Sequence, residues 1–341
     1  MANLTRAHRE LFRRSPDECF ETLAELTAHC RNQREASSEL WHPSDLLLPQ
    51  VFSDTVQLHM GNDGAYALNH WSFSQFCRLC GVSRDTINAL SLETASRALQ
   101  ETKPAGTKPL QILVGEETVR AIHGTQYSRL WNAELLEAVQ EAAPDFEPPQ
   151  RAAVGGTGLY AGEEDLFVFL IDPAGWTEIG DQAFAPGFYC WNSEVGKRSL
   201  GVQTFWWQAV CANHICWDAV EVVEFTRRHT GNIGESLTEI RRIIEGLATK
   251  RDERKDGFAK AMQKAMQATV GDADEAATFL LKNDITRSLV KNAVAKIGEE
   301  GKPFTIFTLV DALTRLTQDV RFVGDRTAAD VKVSKLLALS A

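Results

Sequence analysis

Apolar residues recur along this chain in three successive rhythms, and each predicts a different kind of element. In roughly the first hundred residues the spacing is mostly helical. Ser15, Pro16, Asp17 and Glu18 make a helix start, after which Phe20, Leu23, Ala24 and Ala28 share one face. Residues 41–49 read as a connecting loop, residues 51–60 as a strand, and Asn62, Asp63 and Gly64 as a turn. Phe76, Cys77, Cys80, Val82, Ile87 and Leu90, with Gly81 among them, have the spacing of two helices joined through a glycine turn.

Beyond the breaker-rich residues 103–109 the rhythm becomes that of strands. Leu110, Ile112 and Val114 alternate, and residues 118–123 can pair with them. Residues 132–142 interrupt with a helix capped by Asn132, whose Leu135, Leu136 and Val139 face inward. The run LFVFLI at 166–171 is apolar throughout, the pattern of a strand buried on both faces. Residues 187–217 are the densest stretch, holding Trp191, Trp206, Trp207 and Trp217 out of eight tryptophans and three of seven cysteines. They read as a strand at 187–192, a turn through residues 193–197 where Gly196 supplies permissive geometry, and a returning strand at 199–211. In the returning strand Leu200, Val202 and Trp206 face one way, and Phe205, Trp207 and Cys211 the other. A further run at 217–225 leads to Arg227, Arg228 and His229.

After Gly231 helical spacing returns, first through Leu237, Ile240, Ile244 and Leu247, then through Phe258, Met262 and Met266, and onward to residue 339. The pattern as a whole predicts an α+β fold with a central, mainly antiparallel sheet, N-terminal helices and a helical C-terminal third. Its divisions fall at 1–105, a mixed and mostly helical region, 106–232, a β-rich core, and 233–341, a helical region.

Composition narrows the function. A hydrophobic content of 44% and a charged content of 24% are ordinary globular values over 341 residues. The net charge of -10 argues against a general polyanion binder. Residues 227–264 are nevertheless locally basic, so a basic face is compatible with the acidic total. Seven cysteines without a regular framework suit a reducing compartment, and the charged N-terminus lacks the apolar run of a signal peptide. A cytoplasmic location without membrane association is the expectation.

Four chemistries compete for the polar residues. Cys190, Cys211, His214 and Cys216, with His229, could offer soft ligands to zinc, but their spacing is not that of a knuckle, so no metal and no cofactor is expected. Ser193 beside His214 or His229 could serve as a nucleophile, yet it lacks the Gly-x-Ser-x-Gly elbow that exposes a catalytic hydroxyl. Asn192, Ser193, Glu194 and Gly196, with Asn213, are better read as residues that hold a turn. The helix pair at 73–90 could place its second helix in a major groove, but that helix carries only Arg84 as a cation and sets Asp85 against phosphate. The fourth chemistry is a single-strand surface of Arg198, Arg227, Arg228, His229, Arg241 and Arg242 beside exposed aromatics, with arginines tracking phosphates and bases stacking on rings.

Three segments carry a family resemblance: residues 192–196 (NSEVG), residues 210–214 (VCANH) and residues 228–231 (RHTG), supported by Tyr127, residues 132–136 and residues 75–90. From about Leu68 to Leu337 the chain resembles the phage/plasmid-like protein family, catalogued as a domain of unknown function (number 932). Where many members place Ser-Asp-Arg before the tyrosine, this chain has Gly124, Thr125 and Gln126. The resemblance implies a non-enzymatic accessory protein of a phage, plasmid or other mobile element, acting near DNA-processing machinery. The expected partner is single-stranded DNA, in recombination or replication, with a homo-oligomer as the working form. The alternative is a protein-binding or structural module, such as a phage inhibitor of a host protein.

Overall fold

The computed structural model describes residues 14–149, 157–180, 182–208 and 224–340. The chain is α+β, with mainly antiparallel β structure and a helical C-terminal third. The β structure is divided between two large sheets, where the sequence pattern suggested one.

The chain begins with strand β1 (Glu18–Cys19) and helix α1 (Leu23–Glu35), followed by β2 (Ser37–Pro43), β3 (Leu48–Phe52), β4 (Thr55–His59) and β5 (Ala65–Leu68). Helices α2 (His70–Leu79), α3 (Arg84–Asn88) and α4 (Leu92–Thr102) come next, then β6 (Pro109–Gly115) and β7 (Thr118–Gly124). These strands form a six-stranded sheet in the order β2-β6-β7-β5-β4-β3, antiparallel except where β5 meets β7. Strands on both sides of residue 105 thus belong to one sheet. The breaker-rich segment before β6 is held against it, because the Gly106 carbonyl accepts from Ser44 Oγ at 3.0 Å. One face of this sheet packs Val56, Leu58, Ile112 and Val114 against Phe73, Phe76, Ile87 and Leu99 of the three helices.

The helix start expected at Ser15 is displaced to Leu23, where Thr22 Oγ1 caps the first turn by accepting from Glu25 N–H. The reason lies in long-range partners. Asp17 accepts from the backbone N–H of Val323, Arg14 reaches Asp165, and β1 pairs with a strand further along the chain. The loop expected at 41–49 similarly begins as strand, since residues 37–43 have a partner in β6.

The second sheet holds β1, β8 (Leu159–Ala161), β9 (Leu166–Ile171), β10 (Thr177–Ile179), β11 (Gln182–Asn192), β12 (Leu200–Gln208) and β13 (Glu224–Arg227), all antiparallel. Its two faces differ in kind. Leu166, Val168, Leu170, Phe188, Cys190, Leu200 and Val202 point to one side, against α1, α5 (Asn132–Ala142) and α6 (Glu235–Thr249). Phe167, Phe169, Tyr189, Phe205 and Trp207 point to the other, so the period-2 alternation sorts aliphatic from aromatic. The remaining helices are α7 (Arg251–Gln267), α8 (Ala273–Lys282), α9 (Arg287–Glu299), α10 (Ile306–Thr317) and α11 (Val323–Ser334), with the short hairpin of β14 (Thr269–Gly271) and β15 (Phe304–Thr305). They share a core of their own that includes Phe184 and Trp206 of the sheet.

The Trp206 indole stacks on Phe258 with ring centroids 3.9 Å apart and 7° between planes. This contact fastens α7 to the sheet. Trp206→Ala removes a fully packed indole and should cost about 3–5 kcal/mol, read as a lowered urea midpoint with near-native secondary structure. A midpoint unchanged from the parent would mean that the helical third does not depend on this contact.

Candidate nucleic-acid interface

The hairpin of β11 and β12 turns at residues 193–199, and the first half of this turn, residues 193–195, is buried while Lys197 is exposed. Val195 packs with Trp71, Leu113 and Ala121, which belong to α2 and the first sheet. Trp71 Nε1 donates to the Val195 carbonyl at 2.6 Å. Glu194 is only 2% exposed; one carboxylate oxygen accepts from Arg120 of β7 at 3.0 Å, the other from the Asn132 backbone N–H at 2.7 Å. The second contact opens α5, whose N-cap residue Trp131 has no side chain suited to the task. Asn132 thus starts the helix through its backbone and not as a side-chain cap. Its Oδ1 instead accepts from Asn192 Nδ2 at 2.9 Å. Tyr127 O–H donates to the Glu194 carbonyl at 2.9 Å.

Ser193 has no exposed surface. Its hydroxyl donates to the Glu164 carbonyl at 2.5 Å and accepts from Lys197 N–H at 2.8 Å, so both of its hydrogen-bonding roles go to the turn. Gly196 takes φ +71°, and a Cβ there would lie 2.6 Å from His123 Cε1. A side chain at this position meets both backbone strain and a ring.

Buried charge surrounds the turn. Glu164 faces His70 Nδ1 at 2.8 Å, Lys197 Nζ at 3.3 Å and Arg14 at 3.4 Å. Burial pushes its carboxyl up, but the His70 hydrogen bond and the two cations outweigh that and leave it below the ordinary carboxylate value. Arg84, which can only donate, lies 2.7 Å from His70 Nε2, so that nitrogen accepts and Nδ1–H donates to Glu164. Asp165 pairs with Arg14 at 3.0 Å and with Arg198 at 2.6 Å.

Three clefts open around the turn. The first, of about 500 Å³, lies between the aromatic face of the second sheet and α11, with Phe167, Tyr189 and Trp191 on one wall and Lys197 and Arg198 at its edge. Gln203, 5% exposed, lines it; Tyr189 O–H donates to its side-chain oxygen, and its amide nitrogen has no partner among the described residues. The second, about 700 Å³, runs past Trp71, Arg78, His123 and Lys197. The third, about 310 Å³, is lined by Lys108, Tyr127 and His229. These volumes fall within or near the range of small-ligand pockets, and rings beside cations suit nucleobases beside phosphates.

The residues of the expected single-strand surface divide. Arg198 edges the first cleft. Arg227 and Arg228 are exposed, with no ion pair among the described residues, on a segment that begins at Thr226 in the first cleft and ends at Thr230 in the third. His229 is buried and stacks on Tyr127, which stacks in turn on His123 at 3.6 Å. Arg241 and Arg242 stand apart on α6, paired with Glu141 and Glu239 at 2.5 Å each, and line none of the three clefts. Arg78 and Lys108 were not singled out by the sequence, since neither has a cation beside it in the chain.

The other readings also meet geometry. Cys190 is fully buried on the aliphatic face and burial pushes its thiol up to about 12, while Cys211, Asn213, His214 and Cys216 lie outside the described residues. Among the described residues no three His, Cys, Asp or Glu side chains are grouped as a metal would require. The helix pair at 73–90 does turn at Gly81, with φ +69°. Its second helix is only five residues long, and Arg84 is engaged by His70 and Asp85, so little is left to enter a groove. Among the described residues no helix is long and apolar enough to cross a membrane.

Comparison of the chain with protein-family models, curated proteins and solved structures finds no match. The chemistry of the site is therefore read from its own geometry.

Two outcomes follow from the buried groups. Removing the carboxylate with Glu194→Ala strands the Arg120 charge and should cost about 3–5 kcal/mol in chemical denaturation, whereas a loss below about 1 kcal/mol would show that the bridge is not structural. Burial also pushes His123 down to about 3 and His229 down to about 4, from an ordinary value of 6.5. The unfolded chain takes up these protons first, so stability present above pH 6.5 should be lost progressively as pH falls towards 4. His229→Phe, which keeps the stack on Tyr127, should make the urea midpoint fall less steeply over that window.

Proposed function

We propose that this protein is a non-enzymatic accessory protein of a phage, plasmid or other mobile element that binds single-stranded DNA around the 193–199 turn. The observation that carries the reading is the first cleft, where an aromatic sheet face meets Lys197 and Arg198 beside the Gln203 amide, which has no partner among the described residues. Rings accept bases of any sequence, cations accept phosphates, and an amide donor can reach a base edge or a phosphate oxygen. Arg227 and Arg228, exposed and unpaired among the described residues, add two more positions for phosphate. The resemblance to the phage/plasmid-like family supplies the setting, in recombination or replication, and the expectation of a homo-oligomer.

The non-enzymatic part of the reading is supported by how the reactive groups are used. Ser193 is taken up by the turn, and burial holds the Cys30, Cys77 and Cys190 thiols up at about 12, far from the thiolate.

A second reading, a protein-binding or structural module such as a phage inhibitor of a host protein, is favoured by one observation. Strand β3, at an edge of the first sheet, leaves Leu48, Val51 and Phe52 exposed, and Trp41 on the opposite edge strand β2 is 51% exposed. An edge such as β3, without charged residues and with exposed apolar side chains, accepts a further strand.

Fluorescence anisotropy with a labelled oligothymidylate at low and moderate salt separates the two. The single-strand reading expects salt-sensitive binding, and Trp191→Leu should weaken it about tenfold, within the ~1–3 kcal/mol that one stacked base contributes. Absence of salt-sensitive binding at micromolar protein would transfer the case to the β3 edge.

A further inference from the structure

The three clefts adjoin one another. Lys197 lines both the first and the second, and Gly124 lines both the second and the third. Acidic residues occupy 46 of the 341 positions, yet none lines any of the three clefts. Glu164 and Asp165 are buried beside the track and paired with Lys197 and Arg198, while Asp325 lies 3.5 Å from Arg198. Two cations of the track have no such partner. Arg78 and Lys108 are exposed and make no ion pair among the described residues.

The chemistry also changes along the path. The first cleft offers the partly exposed Trp191. The second holds an indole flanked by cations, with Lys197 Nζ 4.5 Å and Arg78 Cζ 6.0 Å from the Trp71 ring. That indole is fixed by its hydrogen bond to Val195, so the two cations are held at a set place between the outer clefts. The third presents the edge of a column of rings, with Tyr127 stacked between His123 and His229 and Lys108 beside it.

From this arrangement we infer that a single polynucleotide strand runs continuously over the 193–199 turn, from the aromatic cleft beneath α11 to the Tyr127–His229 cleft. Its bases lie in the outer clefts and its backbone phosphates cross Arg78 and Lys197 in the middle, with Lys108 holding the far end. The path rests on the single-strand reading above and extends it in direction and length and by Trp71, Arg78, Tyr127 and Lys108, which lie outside the first cleft. A duplex does not fit this use, because its bases are already stacked on each other and unavailable to rings in a cleft.

The test uses the full chain and oligothymidylates of increasing length, with anisotropy measured across a salt series. For a long oligomer, Arg78→Ala and Lys108→Ala should each reduce the slope of log affinity against log salt by about 0.7, the contribution of one phosphate contact on a single strand. For an oligomer of only a few nucleotides, Lys108→Ala should have no effect while Trp191→Leu still weakens binding. Both cations are exposed, so neither substitution threatens the fold. If Arg78→Ala and Lys108→Ala leave the long-oligomer slope unchanged while Trp191→Leu weakens binding, the first cleft stands and the continuous path is wrong. A duplex of the same length bound as tightly as the single strand also overturns the path. If no oligomer binds, the single-strand reading falls together with the path.

Discussion

Glu194 accepts hydrogen bonds from two separate elements, Arg120 on one sheet and the opening turn of α5 on the other side of the hairpin. A carboxylate this deeply buried is tolerated only when its lone pairs are occupied and its charge is met. Both conditions are fulfilled by residues far away in sequence, so the position of the turn fixes the relation of the two sheets. Val195, immediately after it, fills the space between Trp71 and Leu113 and completes the joint with apolar contact. The clefts exist because this joint holds the turn below the surrounding surface. Their walls are the two sheets, α2 and α11, which meet at the turn and diverge from it.

Much of the second sheet was legible in the residues themselves. The alternation of Leu166, Val168 and Leu170 with Phe167, Phe169 and Ile171 fixes which side chains face which way, and the same rule places Trp206 opposite Phe205 and Trp207. The division into two sheets was not legible, because it depends on pairing. Residues 41–43, at the start of a stretch that reads as a loop, become strand because β6 accepts them, and β5 joins β7 in parallel across three helices. Local pattern carries no record of such partners.

The same limit applied to the site. Six cationic or imidazole residues stand out in the sequence because most of them are neighbours in pairs, but clustering along the chain is a poor guide to free charge. Arg241 and Arg242 are neutralised by Glu141 and Glu239, one of them from another helix. Arg78 and Lys108 have no cation beside them in sequence, and only the fold brings them to the clefts, Arg78 from α2 and Lys108 from the approach to β6. Net charge misleads for a related reason. Several of the acids that make this chain negative sit beneath cations at the turn, leaving the lining of the clefts without a carboxylate.

The segment around Arg14 and Asp17 meets the start of α11, with Asp17 accepting from Val323 N–H at 2.9 Å across 306 positions and the Arg14 guanidinium 4.0 Å from the centre of the Phe322 ring. During synthesis on the ribosome the early residues emerge long before their partner exists, and both sheets can assemble first. The wall of the aromatic cleft is then added after the sheet that it covers, as a clasp between two segments some three hundred positions apart. A nascent chain stalled before α11 would expose the sheet's ring-rich face without its cover, so the cleft is completed only after the strands that line it.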